Sequence, residues 1–88
     1  MTRQPMTLVE HRELGSALLM IRGTLMRAGA DLSDRYGVAS RAGRASERAL
    51  RSVDGLRAAM DEQFVRDFPA AFDATVYFPA GRTAVREL

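Results

Sequence analysis

The chain has 88 residues, of which 47% are hydrophobic, with a formal net charge of +2 and no cysteine. This length accommodates one domain with a modest core. The lack of cysteine excludes disulfides, thiolate metal ligands and cysteine nucleophiles, and no apolar run approaches the ~20 residues that a bilayer-spanning helix requires. The small charge surplus does not by itself indicate a nucleic-acid-binding protein.

The composition also indicates a source and a compartment. All thirteen basic residues are arginine, and the chain has no lysine, no asparagine and a single isoleucine, Ile21. The abundant arginine, alanine and glycine have GC-rich codons, so we expect a bacterial or phage genome of high GC content. The first residues lead into Glu10 and Glu13 without a clean apolar stretch, which does not fit a signal peptide. We therefore expect a cytoplasmic protein.

A long first helix is predicted from about Leu8 to Tyr36. Thr7 and Glu10 form a capping-box pattern at its start. Gly37 supplies the residue type that commonly follows the end of a helix. Apolar residues between these signals alternate at spacings of four and three, a ladder typical of a helix that packs lengthwise on another. The ladder comprises Leu14, Leu18, Ile21, Leu25, Ala28 and Leu32.

A turn at residues 37–40 leads to a second helix predicted over about 40–67. So short a connection folds the second helix back against the first. Ser40 is the favoured N-cap, with Asp34 and Ser46 as alternatives for a longer loop. The second helix ends before Pro69, because a residue that precedes proline is disfavoured in the α region. Its ladder comprises Ala42, Ala45 or Ser46, Ala49, Val53, Leu56, Met60 and Phe64.

Residues 69–88 form a C-terminal tail, of which residues 73–79 read as extended, with at most one short strand. Aromatic residues cluster between the end of the second helix and this segment. They are Phe64, Phe68, Phe72, Tyr77 and Phe78. We expect them to plug the open end of the hairpin. The alternative is a partner-docking surface on a tail that orders when it binds.

Two helices side by side leave apolar surface uncovered, because each has only one neighbour. Leu8, Leu19 and Met26 lie on a line beside the main ladder of the first helix. We expect a second copy of the chain to cover this edge, giving an all-α homodimeric four-helix bundle. A different helical protein is the alternative partner, followed by a self-sufficient monomer. The predicted interface residues are Leu8, Leu19, Met26, Phe72, Tyr77 and Phe78.

No catalytic or metal-binding constellation is recognisable. The only histidine, His11, has no potential ligand three or four residues away on its helix face. We interpret it as a helix-edge or interface histidine. The carboxylates are dispersed, the serines lack an adjacent base, and no strand precedes a glycine-rich phosphate loop. We therefore expect no catalytic residue, metal or cofactor, and predict a non-enzymatic protein interaction or assembly module.

Four arginines recur on one face of the second helix: Arg41, Arg44, Arg48 and Arg51. Such a stripe is suited to phosphates or to an acidic helix, so a nucleic-acid-associated regulator is the alternative function. Acids lie within reach of the stripe: Asp31, Asp34, Glu47, Asp54 and Asp61. We favour a salt-bridged solvent face because these acids can neutralise the arginines. No aromatic residue interleaves with the stripe, which disfavours base reading.

The length, the two helices and the tight turn resemble the WXG100 proteins of type VII secretion. The segment Arg35-Tyr36-Gly37 stands where that family has a Trp-x-Gly turn. Tyr77 is followed four residues later by Gly81, where the family's export motif has an acid. The resemblance implies a secreted helical hairpin as a further alternative.

Overall fold

A computed structural model describes residues 3–79, which form two helices joined by a tight turn. Helix α1 spans Leu8–Tyr36 and helix α2 spans Arg41–Asp67. A hydrogen bond joins His11, near the start of α1, to Asp67, the last residue of α2, so the helices run antiparallel. No strand occurs in this part of the chain, and the predicted all-α hairpin is confirmed. Neither helix has the length and hydropathy needed to cross a membrane.

Both helices begin at side-chain caps. The Thr7 hydroxyl accepts from the Glu10 backbone N–H at 3.1 Å, and the Glu10 carboxylate accepts from the Thr7 N–H at 2.8 Å. This predicted capping box satisfies two groups that a helix start leaves unpaired. Ser40 caps α2 by accepting from the Gly43 N–H. Between the helices, Gly37 adopts a φ of 97°, a conformation that glycine tolerates without strain.

The tail forms turns, so the short strand expected in residues 73–79 is wrong. The Asp73 carboxylate accepts from the backbone N–H and the hydroxyl of Thr75, at 2.9 and 2.6 Å. The Val76 N–H donates to the Asp73 carbonyl at 3.2 Å. An aspartate that binds the backbone two residues onward favours a turn over an extended chain. Residues 80–88 of the predicted tail lie outside the described residues.

The core lies at the open end of the hairpin, where the tail packs across both helices. Its buried hydrophobic residues are Leu18 of α1, Phe64 of α2 and Tyr77 of the tail. Phe68, Phe72 and Phe78 are partly buried against them. The predicted closure of the open end by aromatic residues is therefore confirmed.

The line of contact between the helices runs along one edge of the two predicted ladders. Leu18 is buried, but Ile21 of the same ladder is 46% exposed. On α2, Phe64 is buried while Leu56 is 46% exposed, and the buried neighbour of Leu56 is Arg57. The expectation that the ladders pack on each other is therefore confirmed only in part. Leu14, Val53 and Met60 of the ladders pack against the buried Leu18 and Phe64, whereas Ile21 and Leu56 turn away from the contact. Buried polar groups and the tail take up the surface that the ladders leave.

Candidate functional site

His11 of α1 is fully buried and joins three parts of the chain. Its ring stacks on Phe64, with the centroids 4.6 Å apart, and meets Phe68 and Tyr77 edge-on. Its Nδ1 lies 2.7 Å from the Tyr77 hydroxyl, and its Nε2 lies 2.9 Å from a carboxylate oxygen of Asp67. A histidine that links α1 to α2 and to the tail in this way locks the open end together.

The donor and acceptor roles in this network follow from Asp67. Hydrogen bonds from His11 and Gln63 hold the pKa of Asp67 below its ordinary value, so the carboxylate is ionised and accepts. Nε2 of His11 therefore donates to Asp67, and in a neutral imidazole Nδ1 accepts from the Tyr77 hydroxyl. Burial, with the nearby charges of Asp61 and Asp67, raises the pKa of Tyr77. The phenol thus stays protonated and able to donate.

The tail is also held by contacts of its backbone. A Cβ at Gly15 would overlap the carbonyl oxygen of Val76. The tail can therefore pack this closely on α1 only because residue 15 is glycine. From α2, Nε of Arg57 donates to the Tyr77 carbonyl at 3.1 Å. The same guanidinium lies 4.7 Å from the centre of the Phe78 ring, a cation–π contact. Arg57 therefore stabilises the tail through one charge-assisted hydrogen bond and one ring contact.

A short charged network anchors Arg57 to α1. One oxygen of Asp54 accepts from Arg22 at 2.8 Å and from Arg57 at 3.0 Å. Burial acts to raise the pKa of Asp54, but the hydrogen bonds from the two arginines outweigh it and lower this pKa overall. The network marks one face of the hairpin, because Arg22 and Asp54 come from different helices and meet there.

The His11 network is closed to any substrate. The exposed fraction is 0% for His11 and 1% for Tyr77, so no reacting group can reach either polar atom from solvent. The interpretation of His11 as a helix-edge histidine is wrong, since the tail covers that edge. Within residues 3–79, no group of three or more His, Asp or Glu residues is arranged to hold a metal ion. The arrangement acts as a structural lock.

The opposite face of the hairpin, away from Arg22 and Asp54, is apolar and uncovered. We define this apolar face by residues at the same spacing on each helix: Ala17, Ile21 and Ala28 of α1, and Ala45, Ala49 and Leu56 of α2. All are exposed except Ala49, which is half-buried. Helical spacing places no charged residue on this flank over residues 14–32 or 42–60. So large an uncharged surface is a candidate contact for another chain.

The predicted interface residues lie on the other face, with the tail. Leu19 and Met26 are 45% and 49% exposed, whereas Leu8 is partly buried against the core. Of the predicted aromatic contacts, Tyr77 is buried within its own chain, and Phe72 and Phe78 are half-buried. A groove of about 300 Å³ continues this face toward the turn, between Met26 and Leu50. The tail and the Arg22–Asp54 pair thus occupy part of the edge predicted for a partner.

The four arginines of the predicted stripe all lie exposed on α2. Within residues 3–79, the only ion pair that joins this stripe to an acid is Arg51 with Glu47, at 3.9 Å. Both side chains of that pair are more than half exposed, so it neutralises the stripe weakly.

Sequence reasoning missed the roles of His11, Arg57 and Asp67, and it missed the apolar face. Helical periodicity gave no signal for the first three, because their partners sit in a tail without periodicity. The apolar face did have a signal. Residue spacing placed Ile21 and Leu56 in apolar ladders, although it could not show which neighbour those residues face. Assigning Ile21 and Leu56 to the contact between the helices hid it.

Comparison with known proteins identifies no relative. No protein-family model matches the chain, and neither a curated protein nor a solved structure matches it.

Proposed function

We propose that this chain is a non-enzymatic cytoplasmic assembly module that self-associates through its apolar face into a four-helix bundle. The observation that carries the proposal is the offset of the two ladders from the contact between the helices. Leu18 and Phe64 are buried within the hairpin, while Ile21 and Leu56 remain 46% exposed on the same side of it. An assembly role is also supported by the closure of the His11 network to substrates.

The direction of the offset is the one that a bundle requires. In a four-helix bundle with a square cross-section, the centre lies about 45° away from the line that joins two neighbouring helices. Each helix therefore points its apolar stripe partly toward its neighbour and partly toward the central axis. The ladders of α1 and α2 are both turned toward the apolar face in this sense. Half of a bundle core is thus present in one chain.

A second copy fits this face better than an unrelated protein does. In a two-fold dimer the same patch of each copy faces the other, so a charged residue there would meet its own like charge. The apolar face has no charged residue and therefore suits such a contact. The apolar flank of α1 runs over residues 14–32, about 27 Å at ~1.5 Å per residue. With helix axes about 9 Å apart, the face covers roughly 500 Å² per copy, or about 1,000 Å² in a pair. That area reaches the lower bound for a specific interface.

The test is light scattering coupled to size exclusion, over protein concentrations from about 5 to 200 µM. We expect a mass of twice the 9.7 kDa of one chain at the higher concentrations. Leu56→Glu should weaken association at least about a hundredfold, because each of two symmetric sites gains a charge in an apolar contact, about 1.4 kcal/mol or more per site. Met20→Glu is the matched control, since Met20 is 74% exposed on the outer edge of α1.

Two further variants identify the face. Leu19→Glu alters the edge predicted from sequence and should leave the dimer intact if the apolar face is the interface. A dimer that Leu19→Glu dissociates and Leu56→Glu does not would move the interface to the tail side. A folded monomer at every concentration would refute self-association and leave the apolar face for a foreign helix.

A further inference from the structure

The arginine stripe, Arg41, Arg44, Arg48 and Arg51, keeps most of its charge. Within residues 3–79, Glu47 is the one acid that forms an ion pair with it, which leaves three positive charges. Among the described residues, Arg41, Arg44 and Arg48 form no salt bridge. The expectation of a salt-bridged solvent face therefore fails for these three.

Three of the acids within reach of the stripe interact with other groups instead. Asp54 turns inward and accepts from Arg22 and Arg57, at 2.8 and 3.0 Å. Asp31, across the turn, accepts from Arg35 of its own helix at 2.8 Å. Asp61 is half-buried on the side of the tail, where its charge raises the pKa of Tyr77. The tertiary fold thus draws Asp31, Asp54 and Asp61 away from the stripe, and Asp34 forms no salt bridge with it among the described residues.

The stripe also begins at an unfavourable place for cations. The first turn of α2 holds no acid, and Arg41 and Arg44 lie there. Because the start of a helix carries a partial positive charge, arginines at that position are not stabilised by their own helix. A bound anion would relieve both the repulsion along the stripe and the repulsion at the helix start.

We propose that the stripe binds the phosphate backbone of nucleic acid, independently of base sequence. Its four guanidinium groups extend over about 15 Å of helix, and each can contact phosphate oxygens through two N–H groups. The absence of aromatic residues from the stripe leaves no platform on which bases would stack.

The neighbouring side chains favour nucleic acid over an acidic protein. The other residues on this outer face of α2 as far as Ala59 are small, namely Ser52, Gly55 and Ala58. Protein interfaces need an apolar centre, whereas nucleic-acid interfaces are polar and strongly cationic. The stripe is centred roughly a quarter turn from the apolar face of α2, so a bundle formed through that face would leave most of the stripe open to a ligand.

The experiment measures fluorescence anisotropy of a labelled, random-sequence DNA duplex titrated with the full-length chain. If all four arginines contact phosphates, the logarithm of the association constant should fall against the logarithm of salt concentration with a slope of about −3.6. This corresponds to a loss of about a hundredfold between 50 and 200 mM salt. Failure to bind the duplex at 50 mM salt would overturn the proposal.

Charge-matched variants locate the contact. Arg44→Gln combined with Arg48→Gln should reduce the steepness of the salt slope by about 1.8 and weaken binding more than tenfold at 50 mM salt. The control combines Arg3→Gln with Arg27→Gln, which removes the same charge from exposed positions off the stripe. Equal losses of affinity in the two double variants would mean that only the net charge of the chain matters, and would refute a binding site at the stripe.

Poly-glutamate provides the remaining comparison: a chain that binds it without binding the duplex has an acidic protein as its partner. Circular dichroism of each variant confirms that the fold is retained.

Discussion

Replacing Gly15 by alanine tests whether the tail lies against α1 as described. Glycine inside a helix is usually a weakness, and its replacement by alanine stabilises by about 0.5–1 kcal/mol. Gly15 should behave in the opposite way, because a Cβ there would overlap the Val76 carbonyl. The overlap involves backbone, so it cannot be relieved by a side-chain rotation. Either the tail shifts or it leaves the core.

The expected loss follows from what the tail contributes. Removing the Tyr77 ring from the core would forfeit about 1.5–3 kcal/mol of apolar burial. Its hydroxyl bond to His11 adds about 1 kcal/mol, and the bond from Arg57 to its carbonyl adds about 1.5–3 kcal/mol. A partial shift of the tail would cost less, about 1–3 kcal/mol, as overpacking generally does. After the gain in helix propensity is subtracted, we expect Gly15→Ala to destabilise by up to about 2.5 kcal/mol if the tail shifts, and by about 3–6 kcal/mol if it leaves the core.

Gly55→Ala is the matched control, because a Cβ at Gly55 meets nothing within 4 Å. Urea unfolding followed by circular dichroism, at one protein concentration throughout, should show the two substitutions shifting stability in opposite directions. In a Tyr36→Phe background Tyr77 is the only tyrosine, and quenching of its fluorescence reports whether the tail has left the core. If Gly15→Ala stabilises the chain as much as Gly55→Ala does, the docking of the tail on α1 is refuted.

Two further predictions concern the His11 network. Tyr77→Phe keeps the ring but leaves Nδ1 of the fully buried His11 without its hydrogen-bond donor, so it should destabilise the fold by about 1–3 kcal/mol in urea unfolding. The control is Tyr36→Phe, at a site 66% exposed, which should change stability by less than about 0.5 kcal/mol. Equal effects of the two substitutions would contradict the network. The lowered pKa of Asp67 means that its contribution is complete above the ordinary aspartate pKa of about 3.9 and is lost as the pH falls through the lower folded value. Urea unfolding between pH 6 and pH 2.5 should therefore show a loss of stability at acid pH that is smaller in Asp67→Asn, and an equally steep loss in that variant would count against the assignment.

The helices and their ends were accessible to sequence reasoning because their determinants are local. The Thr7 capping box, the Ser40 cap and the Phe68-Pro69 stop each act within a few residues of the helix end. The glycine at position 37 likewise needs only its own backbone freedom to allow the turn. Such signals can be recognised in the sequence without knowing what the helix packs against.

The contacts of the tail could not be found in this way. His11 and Tyr77 are 66 positions apart, and no periodicity connects them. Arg57, read as one more arginine of a charged helix, is buried because the Tyr77 carbonyl and the Phe78 ring meet its guanidinium. The apolar ladders were recognised, but Ile21 and Leu56 within them were assigned to the wrong contact, since spacing alone does not say which neighbour a residue faces.

The amino-acid sequence by itself determined that the chain is an α-helical hairpin, with apolar ladders too wide for two helices and an aromatic closure at the open end. These properties follow from interactions over one to a few turns of helix. Only the tertiary structure decided how the helices are rotated, that the tail buries His11, and that Asp31 and Asp54 leave the arginine stripe for other partners. The physical reason is that rotation and ion-pair choice depend on competing contacts between distant segments, which differ little in energy until all of them are placed together.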